Sequence, residues 1–425
     1  MIPVMEYKQM AGRAGRPHLD PFGESVLIAS KEEDIENLKE MYISADPESV
    51  ESKLGAENAL RSHVLSTLSN GFADTRNKLL DFFKGTFFAY QKGLLSTISL
   101  KTVIDKCLDF LIEADMCREK GQEDAVSRSE PQNSFVTADK IPSLKERDDL
   151  KITPTSLGVM TSVLYLDPLS ASTILENIRK AENSKMKLSD LSLLHLICMT
   201  SDMKLLYMKT NDYERISEFA ADNIEQFISA PPPTKPIEYE WFLGELKTTL
   251  LLYRWISEFS ENEISKEFDV GEGDIRQISE TASWIANAGA RLVKLCGLQS
   301  ADLFSDLELR LQYGASIKLL PLLKIKGVGR VRARKLYDAG FKSKESFAAA
   351  DFQRVSGLIG PKIAERFYHE IGIDPSGYIL KETKKRTGAP SNLRKKENES
   401  EFEKENSNRN DSSSPQIQKR FDDFF

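Results

Sequence analysis

The chain has 425 residues, of which 40% are hydrophobic and 29% charged, and it carries a formal net charge of −7. That length holds about two to four domains, with enough apolar material for real cores. No apolar run approaches the roughly 20 residues of a membrane-spanning helix, and residues 1–20 mix Glu, Lys and Arg with small residues instead of reading as a signal peptide.

In chain order, residues 1–30 read as a loop followed by a strand, "GESVLIAS" (23–30), and a polar helix follows at 31–42. Residues 55–117 are helical with short breaks. They include the aromatic cluster Phe82, Phe83, Phe87, Phe88 and Tyr90, then an apolar stripe at Val103, Ile104, Cys107, Leu108, Leu111 and Ile112. Short helices followed by a hairpin would suit a winged helix, with the hairpin near "NSFVTADKI" (133–141) and residues 118–134 as a loop or wing. Residues 153–300 are nearly all helical by pattern, interrupted by the rigid connector "SAPPPTKP" (229–236). A further helical unit spans 318–373. From 381 to 416 the composition collapses to Lys, Glu, Asn and Ser, too polar to offset its ordering entropy, and reads as a disordered tail.

The cysteines Cys107, Cys117, Cys198 and Cys296 form no C-x-x-C pair, and His18, His63, His195 and His369 are scattered. A zinc site or disulfide framework is therefore not expected, and no metal ligand is assigned. The expectation is a reduced, cytoplasmic chain with buried thiols and no membrane partner.

Near the start, "QMAGRAGRP" sets Gln9, Gly12, Arg13, Gly15 and Arg16 in a glycine-loosened turn. Arginine forks donate two parallel hydrogen bonds to phosphate, and glycines let the backbone approach closely. Charge alone would fit a basic, flexible N-terminus. The full spacing Q-x-x-G-R-x-G-R resembles motif VI of superfamily-two helicases, where such arginines neutralise charge on a γ-phosphate. Arg13 and Arg16 are the candidate catalytic residues, and all five the candidate nucleotide-binding set. The sequence holds no G-x-x-x-x-G-K-[ST] and no D-E-x-H or D-E-x-D box, so ATP and magnesium are expected only with a motor half supplied by a fuller product or a separate polypeptide.

The flanks "EYKQMAGRAGRPHLDPFGESVLIA", "ITPTSLGVMTSVLYLDPLSASTIL", "ETASWIANAGARL" and "LLPLLKIKGVGRVRARKLYDAGF" occur in order. Together they resemble the archaeal Ski-like DNA repair helicases, relatives of the helicase part of polymerase theta. The resemblance implies a mainly α multidomain chain. Its parts would be a remnant of the second RecA-like α/β motor domain (1–45), a winged helix (46–150), a helical ratchet domain (151–305), a helix-hairpin-helix domain (306–378) and a disordered linker (379–417). It also implies ATP- and magnesium-dependent 3′-to-5′ unwinding of forked DNA, single-stranded and forked DNA as partners, and association with the nucleoid.

Asp274 to Leu292 reads as one helix, with Asp274 as N-cap or first-turn acid. Ile275, Ile278, Ala282, Ile285, Gly289 and Leu292 form one stripe. Trp284 lies away from it and shares a face with Gln277, Glu280, Asn287, Ala288 and Arg291. A tryptophan there can stack on bases of any sequence, or it can be covered by another helix; the pattern leaves both open. By resemblance, an arginine and a tryptophan about two turns apart on this helix guide the strand. The position seven before Trp284 is Gln277, so Arg276 becomes the candidate replacement.

From Lys318 to Tyr337 stand seven basic residues and no acid. "IKGVGR" places Gly327 and Gly329 in a hairpin before a helix, where backbone N–H groups can hold a DNA phosphate without reading a base. Lys326, Gly327, Gly329, Arg330, Arg332 and Arg334 are the candidates, against a solvated basic face as the plain alternative. A second, weaker copy is "SGLIGPKIAERF" (356–367). By resemblance the domain also restrains unwinding, through Arg330, Arg332 and Arg334.

The last eight residues fit Q-x-x-h-x-x-F-F, with Gln418 as polar anchor and Phe421, Phe424 and Phe425 as an apolar plug. They resemble the sliding-clamp box of replication and repair proteins. Two other functions stay open: a non-enzymatic fork-binding module tethered to the clamp, and an RNA helicase of the same superfamily.

Overall fold

The computed structural model describes residues 2–16, 18–92, 97–120, 148–229, 236–343, 346 and 351–370. The expected hairpin at 133–141, the polar tail and the clamp-like terminus (Gln418, Phe421, Phe424 and Phe425) lie outside them. Among the described residues no helix is long and apolar enough to cross a membrane.

Residues 2–50 form a thin unit. Helix α1 (Val4–Ala11) is capped in trans, because the Glu48 carboxylate accepts from the N–H groups of Val4 (2.7 Å) and Met5 (2.9 Å). Helix α2 (Asp34–Leu38) runs into a π-turn (Lys39–Ser44) whose Tyr42 packs its ring at a tilt against Tyr7 and donates to the Ile2 carbonyl. The strand expected at 23–30 does not form. Its polar backbone finds no ladder partner among the described residues, and Val26 and Ile28 are exposed at 79% and 88%.

The first core starts with α3 (Glu57–Ser69), α4 (Arg76–Lys84), α5 (Phe87–Lys92) and α6 (Thr97–Glu113). Strand β1 (Cys117–Glu119) pairs antiparallel with β2 (Ile152–Pro154), Cys117 standing opposite Pro154. Arg76 locks this layer. Its buried guanidinium reaches Asp105 (3.0 Å), Asp109 (2.9 Å) and Glu119 (2.7 Å), joining α4, α6 and β1.

Eight helices complete that core: α7 (Ser156–Val163), α8 (Pro168–Asn183), α9 (Asp190–Cys198), α10 (Tyr213–Asn223), α11 (Pro236–Ile256), α12 (Glu261–Phe268), α13 (Glu272–Leu295) and α14 (Ala301–Tyr313). Their starts are written locally. Asp167 caps α8 ahead of Pro168, and Ser189–Ser192 and Ser260–Glu263 form capping boxes on α9 and α12. Apolar burial is continuous from Leu60 to Leu311, so the hairpin-bearing layer and the helical bundle share one core. Across their junction Arg61 forks onto Asp167 with two 2.9 Å bonds, both side chains buried. Burial pushes the thiols up, to about 11 for Cys107 and about 12 for Cys117 and Cys198.

A second, smaller core begins at Ala315. It packs α15 (Leu320–Leu323), α16 (Arg330–Asp338), α17 (Phe352–Ile359) and α18 (Pro361–Glu370) as two helix-turn-helix hairpins. Gly327 (φ +88°) and Gly360 (φ +93°) make the two turns, a backbone conformation that suits glycine. The sequence boundary at 306 cuts through α14, whose Phe304, Leu307 and Leu311 belong to the first core.

Candidate nucleic-acid interface

Helix α13 starts at Glu272, with Gly271 as N-cap and Asp274 in the first turn. Its predicted stripe is all buried: Ile275, Ile278, Ala282, Ile285, Gly289 and Leu292 face the core, with Gly289 against the Phe304 ring of α14. On the other side Gln277, Trp284 and Arg291 stand seven residues apart, two turns each, in one row. Gln277, Glu280 and Arg291 are exposed and Trp284 is 37% exposed. The Trp284 indole N–H donates to the Leu164 carbonyl at 3.2 Å, so one edge of the ring is pinned at the end of α7 while part of it stays open. Ala288, expected on this face, is instead fully buried, and α13 packs against α7 and α8 as well as α14.

Arg276 does not share the Trp284 row. Its guanidinium is committed to Glu261 on α12 at 2.9 and 3.2 Å. Gln277 opens onto a groove of about 350 Å³ lined by residues 202–207, Asp274, Ile278 and Thr281. Tyr207, on its rim, is 88% exposed. Lys247, itself buried, donates to the Tyr207 carbonyl (2.8 Å) and pairs with Asp212, which fixes that loop. The sequence offered no signal for Tyr207 beyond a lone aromatic in a polar connection.

In the first hairpin Val328 is buried, which plants the turn, while Lys326 and Gly327 are exposed. Gly329 is the N-cap of α16 and supplies no side-chain cap, so the first-turn N–H groups stay open. Arg332 is exposed and donates to the Gly327 carbonyl (3.3 Å). Lys335 is exposed too, a residue the candidate set had left out. Among the described residues Lys326, Arg332 and Lys335 carry no ion pair, whereas Lys324 pairs with Asp306 (2.8 Å).

Arg330 and Arg334 turn the other way. Arg334 binds the Glu258 carboxylate through Nε (3.0 Å) and Nη2, and Arg330 donates to the carbonyls of Glu258 (2.6 Å) and Phe259 (3.2 Å) over the Trp255 ring. Burial holds the Arg330 guanidinium below its ordinary value; the hydrogen bond to Glu258 holds Arg334 above its own. Both therefore belong to the joint between the two cores and not to the open face. The run was acid-free only in sequence; folding brings an acid to it.

The "QMAGRAGR" stretch (9–16) is not a loop throughout: Gln9, Met10 and Ala11 form the last turn of α1, and the turn begins at its C-cap, Gly12. Gln9, Gly12, Arg13 and Gly15 are exposed, and Gly15 takes φ +79°. Arg13 carries no ion pair among the described residues. Arg16 pairs with Asp20 at 3.1 Å, which holds that carboxyl below its ordinary value.

Three family models match: "Helix-turn-helix domain" over residues 23–118, "Archaeal helicase, domain 4" over 191–314, and "SAM-like Helix-hairpin-helix tandem" over 319–372. The ATP-dependent DNA helicase Hel308 of Methanocella arvoryzae is 42% identical over 375 residues, covering 87% of this chain and 46% of that protein. Hel308 of Caldivirga maquilingensis is 33% identical over 85% of the chain and 46% of its own length, and that of Thermococcus kodakarensis 33% over 91% and 32%. The chain belongs to the archaeal Ski2-like helicases. It corresponds to a C-terminal portion of that family and spans less than half the length of these curated relatives. Within the Ski2-like frame, α13 lies inside the helicase domain 4 match, and the Gly327 hairpin lies inside the tandem match.

Proposed function

We propose that this chain is the DNA-binding part of an ATP-dependent 3′-to-5′ DNA helicase that acts on forked DNA in replication-fork repair. The observation that carries the reading is the row Gln277–Trp284–Arg291: a partly open indole, pinned at one edge, between two exposed polar side chains on a helix whose opposite face is core. A single strand laid along it would stack a base on Trp284 and meet a cation at Arg291, with no base identity read. α13 then works as the ratchet, and the helix-turn-helix layer with β1 and β2 as a winged helix. Lys326, Arg332, Lys335 and the open N–H groups of α16 hold duplex phosphates.

Arg13, free of an ion pair among the described residues, suits the far side of a nucleotide site. Arg16 would first have to leave Asp20. No P-loop occurs in the sequence, so these residues do not hold ATP and magnesium by themselves, and this chain alone should not hydrolyse ATP. The motor chemistry would come from a P-loop-bearing half. Gln418, Phe421, Phe424 and Phe425 would tether the assembly to a sliding clamp. The same DNA-binding surfaces would serve a clamp-tethered module without a motor, so ATPase activity of the native assembly separates the two readings.

The test of the DNA reading is binding to duplex and forked DNA across a salt series. Lys326→Ala with Arg332→Ala should weaken binding on every sequence and lower the salt slope by about two. Unchanged affinity and slope would remove the hairpin from the interface.

A further inference from the structure

The joint between the two cores is built around Glu258. This residue follows α11 and sits at φ +72°, a conformation uncommon for a non-glycine residue and held here by its surroundings. Its carboxylate accepts from the Ser316 N–H (3.3 Å) and takes the Arg334 fork. Its own carbonyl and that of Phe259, at the negative end of α11, accept from Arg330. Trp255, one turn back, lies under Arg330 and donates to the Leu311 carbonyl at 2.6 Å. Gly314 (φ +61°) closes the joint from the chain side: a Cβ there would stand 2.7 Å from the indole. The chain therefore turns from α14 into the second core only with glycine at this point.

On α16, Arg330 and Arg334 are four apart and share the face turned to this joint, while Arg332 falls on the opposite side and Lys335 on the flank beside it. The basic helix is thus divided: one half is used to dock the unit, the other is left to solvent.

We propose that Glu258 is a positioning residue for DNA: by engaging Arg330 and Arg334 it sets the angle at which Lys326, Arg332 and Lys335 meet the duplex phosphates of a fork whose single strand lies on α13. The proposal rests on the reading of the hairpin as a DNA-binding unit. Two surfaces on one chain gain affinity only if they engage a single ligand together, and that gain is lost when their geometry is released. Fork binding is therefore the quantity that depends on Glu258. Binding of either arm alone is not.

The experiment uses the full chain and three probes: a fork, a blunt duplex and a single strand. Glu258→Gly removes the carboxylate while easing the left-handed backbone, and Glu258→Asp keeps the charge in a residue that tolerates that backbone. For Glu258→Gly, fork affinity should fall about tenfold, out of the 10²–10⁴ available from linkage. Affinities for duplex and single strand should stay within about twofold, and Glu258→Asp should recover the fork. A rise in duplex affinity would overturn the proposal, since Arg330 and Arg334 would then be DNA contacts held back by the joint. An equal loss on all three probes, or no loss on the fork, would overturn it too. Lys326→Ala with Arg332→Ala separates the levels. If that variant leaves duplex binding intact, the hairpin reading itself fails; if it weakens duplex binding while Glu258→Gly spares the fork, only the positioning role fails.

Discussion

Trp284 offers the most direct measurement on the strand path. At 37% exposure, its side chain of roughly 250 Å² leaves about 90 Å² open, and covering that with a base at ~25 cal/mol per Å² gives about 2 kcal/mol. That agrees with the ~1–3 kcal/mol measured for base–aromatic stacking, and it corresponds to roughly a thirtyfold change in Kd. Trp284→Ala should therefore weaken single-strand binding by about that factor, with no change in salt slope, because no phosphate contact is lost. It should also cost stability, since the covered part of the ring packs and its N–H donates to Leu164. Trp284→Phe helps to separate the two effects: it keeps a smaller stacking face and loses the donor, so Kd should move less than for Trp284→Ala. Fluorescence anisotropy with a labelled oligonucleotide, paired with a urea melt, gives both readouts. If Trp284→Ala lowers the melt while leaving Kd unchanged, the indole is only packing, and α13 loses its claim to the strand.

Arg61→Ala should cost about 3–5 kcal/mol in urea unfolding, because it strands Asp167 in the junction between the hairpin-bearing layer and the bundle; a loss below ~1 kcal/mol would show that water reaches the pair. Phe424→Ala with Phe425→Ala should abolish binding to a sliding clamp and leave DNA affinity as it was. Lost DNA affinity would instead assign the terminus to the DNA-binding surface.

Helix α13 was legible because periodicity over a long helix is redundant: six apolar positions agree on one face, and all six are buried. Ala288 was misplaced on the open face because periodicity reports one stripe and is silent about a second layer of helices lying across the flank. The "GESVLIAS" strand failed for a different reason. A short apolar run describes what a strand would bury, but a ladder also needs a neighbour, and none of the described residues supplies one. Among the described residues the sheet that forms pairs Cys117–Glu119 with Ile152–Pro154. Its two strands are too short and too far apart in sequence to carry a hairpin signature.

The arginines show the same limit in electrostatic form. Charge counted along the chain made Arg330, Arg332 and Arg334 equivalent, yet Glu258, more than 70 residues earlier, takes the first and third. Only i, i+4 spacing hinted that these two would act as a pair. In the proposed DNA interface Lys335 therefore joins Lys326 and Arg332, while Arg330 and Arg334 go to the joint.

The two arginine anchors in this molecule differ in what opening them would expose. Separating Arg61 from Asp167 opens a continuous core, because apolar burial runs across that junction from Leu60 to Leu311. Separating Arg330 and Arg334 from Glu258 leaves both cores closed, since the second one starts afresh at Ala315. Local opening follows the path that uncovers least apolar surface, so the angle between α13 and the Gly327 hairpin is set at the Glu258 joint. Its carboxylate adds an acid limit. Burial is the largest single effect and raises the Glu258 carboxyl, but the hydrogen bonds from Arg334 and Ser316 and the Arg334 charge together lower it more, leaving the group below its ordinary value of 4.5. Ionised Glu258 therefore supports the joint at every pH above that value and releases it only as pH falls further. Across the neutral range the charge of Glu258 is constant, and the arginines it holds are not available to DNA unless the joint itself opens.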